Sequence, residues 1–173
     1  MRTLVFTLLT TFLQVYALAQ RDTLHSKWQF KSLNETNWMP ASVPGTVHTD
    51  LMLNRQIPDP FYRDNETKVQ WVADEDWEYK TSFSPRKNKL NGQPIWLEFE
   101  GLDTYAEVYL NQQQILVANN MFRTWRVDIS RLLRPADNEL RIVFHSAIRI
   151  SDSLAAVSTL KRPCENNRHY VRK

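Results

Sequence analysis

The sequence predicts an all-β fold, an antiparallel β-sandwich, and three observations predict it. Apolar and polar residues alternate with a period of two through most of the second half of the chain, the pattern of a half-buried strand. Turn-forming clusters interrupt those runs at near-regular spacing, as in a sandwich of short antiparallel strands. The chain has 173 residues, a size that fits one domain around one hydrophobic core.

The elements follow in order. Trp28-Gln29-Phe30 alternates and reads as a short strand. Trp38-Met39-Pro40 leads into Ser42-Val43-Pro44-Gly45, a turn. Thr46 is placed to cap a short helix over Val47 to Asn54, with Val47, Leu51 and Met52 on its apolar face. Ile57-Pro58-Asp59-Pro60-Phe61-Tyr62 cannot be regular structure, because two prolines remove donors and force extended backbone. It reads as a loop crossing the surface, held by its aromatic residues. The period then becomes two. Trp77, Tyr79, Thr81 and Phe83 face inward, opposite Glu78, Lys80 and Ser82. Ile95, Leu97 and Phe99 oppose Trp96, Glu98 and Glu100. Tyr105 to Leu110 and Gln114 to Ala118 are further strands, followed by the alternation of Trp125, Val127 and Ile129 and by that of Leu140, Ile142 and Phe144. Pro85 to Gln93, Asn111-Gln112-Gln113 and Pro135-Ala136-Asp137-Asn138 are turns. Ile148 to Leu160 has moderate helix propensity.

Both ends change character. Arg2 followed by a mostly apolar run from Leu4 to Val15 and by Ala17-Leu18-Ala19 has the layout of a signal peptide over residues 1–19, with the mature chain starting at Gln20. The run is too short to span a membrane, which takes about 20 residues. No Cys follows it, which argues against a lipoprotein anchor. The sandwich is expected over 20–160. From Lys161 the chain turns polar and basic and stops at Lys173 without a closing strand or cap, so 161–173 reads as an incomplete tail.

Composition narrows the function classes. A net charge of +3 is spread over 22 basic and 19 acidic residues. The basic residues form no patch or stripe beyond Arg168, Arg172 and Lys173, which argues against a nucleic-acid partner. No second apolar stretch suits a membrane. Cys164 is the only cysteine, and the four scattered histidines (His25, His48, His145, His169) show no zinc spacing, so no metal or other cofactor is expected.

Five segments share a resemblance: Val43-Pro44-Gly45-Thr46-Val47-His48-Thr49-Asp50-Leu51; Ile57-Pro58-Asp59-Pro60-Phe61; Trp71 with Asp74-Glu75-Asp76-Trp77-Glu78-Tyr79; Phe99 to Ala106 continuing through Val108-Tyr109-Leu110-Asn111; and Asn120-Met121-Phe122-Arg123. Together they resemble the N-terminal domain of the β-mannosidases of the second glycoside hydrolase family, from about Trp28 to Lys173. The resemblance implies a galactose-binding-like jelly-roll sandwich. It also implies a continuation that this chain lacks: a Trp/Asp/Gly-rich segment contributing to the sugar site, immunoglobulin-like domains, and a TIM barrel carrying two catalytic glutamates. The implied activity is removal of terminal non-reducing β-D-mannose from β-mannosides. A free-standing carbohydrate-binding module and the same domain of a β-galactosidase or β-glucuronidase remain open beside it.

The residues themselves supply no catalytic pair. A retaining glycosidase holds two carboxyl groups about 5–5.5 Å apart. Asp74, Glu75 and Asp76 are the densest acidic cluster and read as a solvated turn, unless Asp76 fixes the strand entry by accepting backbone N–H bonds. Glu98 and Glu100 share a strand face with nothing placed opposite. His48 is expected to pair with backbone or with Asp50. Asn34-Glu35-Thr36 and Asn65-Glu66-Thr67 are glycosylation sequons, relevant only to export through a glycosylating pathway. Of the aromatic residues, Trp77 reads as core. Trp71, just before the acidic cluster, is the substrate-binding candidate at the mouth of the implied sugar site. Trp96, Phe122 and Arg123 are expected to dock on the missing barrel, since large aromatics and Arg are enriched at interfaces.

Overall fold

The computed structural model describes residues 21–24, 26–85 and 93–159. The expected signal segment, the body of the 85–93 turn, the 161–173 tail, Cys164, His25 and His169 lie outside the described residues.

Among the described residues eight strands carry the fold: β1 (Trp28–Ser32), β2 (Met39–Ala41), β3 (Trp77–Phe83), β4 (Trp96–Phe99), β5 (Tyr105–Leu110), β6 (Gln113–Ala118), β7 (Trp125–Asp128) and β8 (Asn138–His145). Helix α1 is Val47–Leu53, α2 is Asn65–Lys68, a 3₁₀ turn spans Gln70–Ala73, and α3 is Ala147–Val157. Six strands form one sheet in the order β2-β1-β3-β8-β5-β6, and β4 pairs with β7 in a second. All pairs are antiparallel. The expected sandwich is therefore present, though its second layer is only partly sheet. Tyr79 on β3 bonds Asp50 on α1, so helix and loop cover that half of the large sheet. β7 touches β6 and covers the other half.

The inward row predicted for β3 holds. Phe30 is fully buried, with Tyr79 stacked on it at 5.5 Å and Trp77 tilted against it at 5.9 Å. Val108, Leu110 and Leu140 complete the buried interior of the large sheet. Leu97, Phe99 and Trp125 pack on this core from the second layer. The predicted helix cap is also present: Thr46 accepts the Thr49 N–H, and the Thr49 hydroxyl accepts from the Thr46 N–H, so two orphan donors are satisfied reciprocally. Gly45 before it is required by space, because a Cβ there would sit 2.3 Å from the Ser42 carbonyl oxygen.

Several expectations need correction. Pro40 belongs to β2, an edge strand whose missing N–H faces no ladder partner. Gln113 opens β6, and the turn before it rests on Asn111 and Gln112, both at positive φ. Asn138 is no turn residue. It is fully buried at the start of β8, where its side chain accepts the Arg134 N–H and donates to the Arg134 carbonyl, closing the preceding loop. Alternation places Glu78 on the outer face of the sheet, and there it is buried, clamped between Lys31 at 3.3 Å and Arg141 at 2.9 Å. The loop at 57–62 is not held by its aromatics. Ile57 is buried, whereas Phe61 is 94% and Tyr62 58% exposed. α2 and the 3₁₀ turn, which show no long apolar period, escaped the sequence pattern altogether.

Candidate functional site

Strand register sorts the loops into two ends of the sandwich. Trp77, which opens β3, pairs with Phe144 near the close of β8, and His145 pairs with Tyr105, which opens β5. Phe99 closes β4 opposite Trp125, which opens β7. One end therefore gathers the 70–76 segment before β3, the 100–104 segment before β5, the 119–124 loop after β6, and the start of α3. We take this end as the candidate site.

Trp71 lies here, 45% exposed on the 3₁₀ turn, with its ring 6.1 Å from that of Trp77. Trp77 itself is buried and donates its indole N–H to the Val72 carbonyl at 2.9 Å, which fixes the 3₁₀ turn to the sheet. Phe122 and Arg123 lie at the same end, in the β6–β7 loop. The Phe122 N–H donates to the Asn120 side chain, leaving the ring 89% exposed, and the Arg123 guanidinium stacks 4.3 Å over Trp125. The strands that lead to Trp71 and Phe122 are three spacings apart, roughly 14 Å. Trp96 is not part of this group. It opens β4 opposite Asp128, at the other end, half exposed on the outer face with Arg126 over its ring.

Asp74 is exposed, as a solvated turn requires, but Glu75 and Asp76 are half-buried and bonded. The Asp76 carboxylate accepts the Ser146 N–H at 2.7 Å and the Arg149 guanidinium, and lies 3.3 Å from His145 Nδ1. Burial pushes its pKa up, but these hydrogen bonds and the Arg149 charge outweigh burial and hold it below the ordinary carboxylate value of 3.8. Asp76 thus fastens the N-terminus of α3, the local role foreseen in the alternative reading, but for a helix rather than for strand entry. Glu75 accepts from the Ser32 hydroxyl and the Asn34 amide. His145 Nε2 faces Glu107 at 3.5 Å, and Glu107 bonds the Tyr109 hydroxyl. The cleft among Asp76, His145, Arg149 and Leu154 measures about 360 Å³ and is open to solvent. The Asp76 carboxylate that lines it is committed to Ser146 and Arg149, so this arrangement fastens elements together and offers no acid/base pair.

Other candidates resolve similarly. Glu98 pairs with Arg126 and Arg21, each at 2.9 Å, and Glu100 falls beyond the end of β4. Asp50, named only as a possible partner of His48, is fully buried, where it accepts the Ser42 N–H at 2.8 Å and the Tyr79 hydroxyl at 2.9 Å. Burial and the Asp50 charge drive the Tyr79 pKa far above its ordinary value, so the hydroxyl remains a donor. Asn65 is half-buried in α2, with its side-chain amide donated to the Asp59 carbonyl, whereas Asn34 is exposed. Among the described residues no group of three or more His, Cys, Asp or Glu could hold a metal ion, and no helix is long and apolar enough to cross a membrane.

The model of a family described as glycosyl hydrolase 2 galactose-binding domain-like matches residues 28–173. The β-mannosidase of Rattus norvegicus is 32% identical over 139 residues, which cover 80% of this chain and 16% of that protein. The crystal structure of a β-D-mannosidase from Dictyoglomus thermophilum superposes with a TM-score of 0.80 at 40% identity, covering 84% of this chain and 18% of that one. A β-D-glucuronidase of the same organism reaches a TM-score of 0.55 at 18% identity over 72% of this chain and 19% of its own, a likeness of fold alone. The chain thus spans less than a fifth of the length of these proteins.

Proposed function

The chain belongs to the glycosyl hydrolase 2 galactose-binding domain-like family, and from that premise we propose that it is the N-terminal, non-catalytic domain of an exported β-mannosidase. The whole protein would remove terminal non-reducing β-D-mannose from β-mannosides by a retaining double displacement, with both catalytic carboxylates on another domain. The observation that carries this reading is the end of the sandwich bearing Trp71, Phe122 and Arg123: it presents aromatic surface, and its Glu75 and Asp76 carboxylates are held in structural bonds. Such an end is suited to walling a pocket and unsuited to cleaving a glycoside. Trp71 is the residue we assign to the mouth of the sugar site. Phe122 and Arg123 are assigned to docking on a catalytic barrel, and Trp96, at the other end, to a separate contact. The identity with β-mannosidases, against fold likeness alone to the glucuronidase, favours mannose over glucuronate. Export is supported by residues 1–19, laid out as a signal peptide, with the sandwich over 20–160 and the tail at 161–173.

The test compares the 173-residue chain with the complete product of its gene on chromogenic β-mannoside, β-galactoside and β-glucuronide. The expected result is β-mannoside hydrolysis by the complete product and none by the chain. Hydrolysis by the chain would overturn the non-catalytic role. A complete product that prefers β-glucuronide, or cleaves none of the three, would overturn the assignment to β-mannosidases.

A further inference from the structure

Phe61 is the most exposed large apolar side chain among the described residues, and its exposure is built in. Pro58 and Pro60 restrict the backbone on either side of Asp59. The Asp59 carboxylate accepts the Phe61 N–H at 2.9 Å. The Asp59 carbonyl accepts the Tyr62 N–H at 3.2 Å and the Asn65 side-chain amide at 2.9 Å. Ile57 and Val69, at the two feet of the loop, are buried. Arg63 continues the turn at φ 54, a left-handed conformation that a non-glycine residue adopts at some cost. Its guanidinium lies 5.1 Å over the Tyr62 ring. The turn therefore holds the Phe61 ring out in water at a cost in local strain. Observed strain of this kind points toward function.

We propose that Phe61, at the tip of the Asp59–Asn65 turn, is the anchor that docks this domain into an apolar pocket of the catalytic domain carried in the same polypeptide. The proposal rests on the β-mannosidase reading above. In the relatives this domain is 16–18% of the chain, so it shares its polypeptide with a much larger body of protein. The outer face of the large sheet is a poor alternative docking surface, because its charges are already paired: Glu78 with Lys31 and Arg141, and Lys80 over the Trp38 ring at 3.9 Å. Few interface residues carry most of the binding energy, and they are typically aromatic or Arg anchors in desolvated pockets. A turn already fixed in its bound shape loses little entropy on docking. A sugar platform is disfavoured by the same geometry. A saccharide site needs polar groups converging on the ligand beside the ring, and Asp59 and Asn65 have committed theirs to holding the turn.

The test uses Phe61→Ala in both the 173-residue chain and the complete gene product. In the chain alone the melting temperature stays within about 2 °C, as expected for an exposed side chain. In the complete product the transition of this domain falls by at least about 4 °C, while Phe61→Trp restores most of the loss. An equal response in both proteins would overturn the proposal, whether large or absent. So would an unchanged transition with a KM for mannobiose raised tenfold or more, which would make Phe61 a sugar contact. A complete product that lacks β-mannosidase activity yet shows the differential shift would sink the functional reading and leave the docking anchor standing.

Discussion

Two regions of this domain invert the usual partition of polar and apolar groups, and they do so with opposite completeness. Beneath α1 a carboxylate, Asp50, is entirely buried, and both its oxygens are satisfied, by the Ser42 N–H and the Tyr79 hydroxyl. On the loops, Phe61 and Phe122 stand in water at 94% and 89% exposure. The buried polar group is complete within the domain, because an unpaired one would cost more than folding can spare. The exposed rings are incomplete within it, because leaving apolar surface in water is tolerated singly. The contrast separates what this domain needs in order to fold from what it presents to something else.

Substitutions should break the first region and leave the second silent in the isolated chain. Asp50→Ala is expected to have the largest effect. It leaves the Ser42 N–H and the Tyr79 hydroxyl buried without an acceptor and should cost about 3 kcal/mol in urea denaturation; a loss below about 1 kcal/mol would show that the bridge is dispensable. Next comes Glu78→Ala, which strips Lys31 and Arg141 of their shared partner and should cost about 2 kcal/mol, less than a fully buried pair because Arg141 retains some exposure.

The pH dependence sharpens the comparison. Tyr79 has its folded pKa raised above the ordinary 10.0, so its stabilising contribution is complete below pH 10 and is lost as pH rises beyond it. Tyr79→Phe should flatten that alkaline decline in thermal melts recorded from pH 8 upward. Asp76 has its folded pKa lowered from 3.8, so its contribution is present above that value and is lost as pH falls through the folded one. Asp76→Asn should therefore weaken the hold on α3 by about 1 kcal/mol at neutral pH and make the acid decline shallower. The smallest effect belongs to the exposed region: Phe122→Ala should change the stability of the isolated chain by no more than about 0.5 kcal/mol. A larger loss would mean that the ring packs within the domain after all.

How much of this was legible beforehand depended on how local each signal is. The inward row Trp77, Tyr79, Thr81, the Thr46 cap and the separation of Trp96 from Leu97 and Phe99 follow from side-chain direction along one strand or one helical turn, and all are found in place. Phe61 reads as an anchor, since an aromatic just after two prolines looks pinned to the surface, but Ile57 and Val69 are the buried residues of this loop. In the sequence Asp50 stands out only as a neighbour of His48. A Tyr some thirty positions away cannot be recognised as its partner from spacing. Alternation puts Glu78 on the outer face, and the pattern has no means of showing that Lys31 and Arg141 converge on it there from adjacent strands.

Fold class, every strand but the short β2, and family could be read from the chain alone, because these rest on periodicity and on motifs contiguous in the chain. Which distant groups meet is visible only in three dimensions: Asp76 fastens the start of α3, Asp50 bridges the Ser42 turn to β3, and Trp71, Phe122 and Arg123 share one end of the sandwich while Trp96 does not. The physical reason is that alternation encodes only which way a side chain points, whereas strand pairing and register set what it points at.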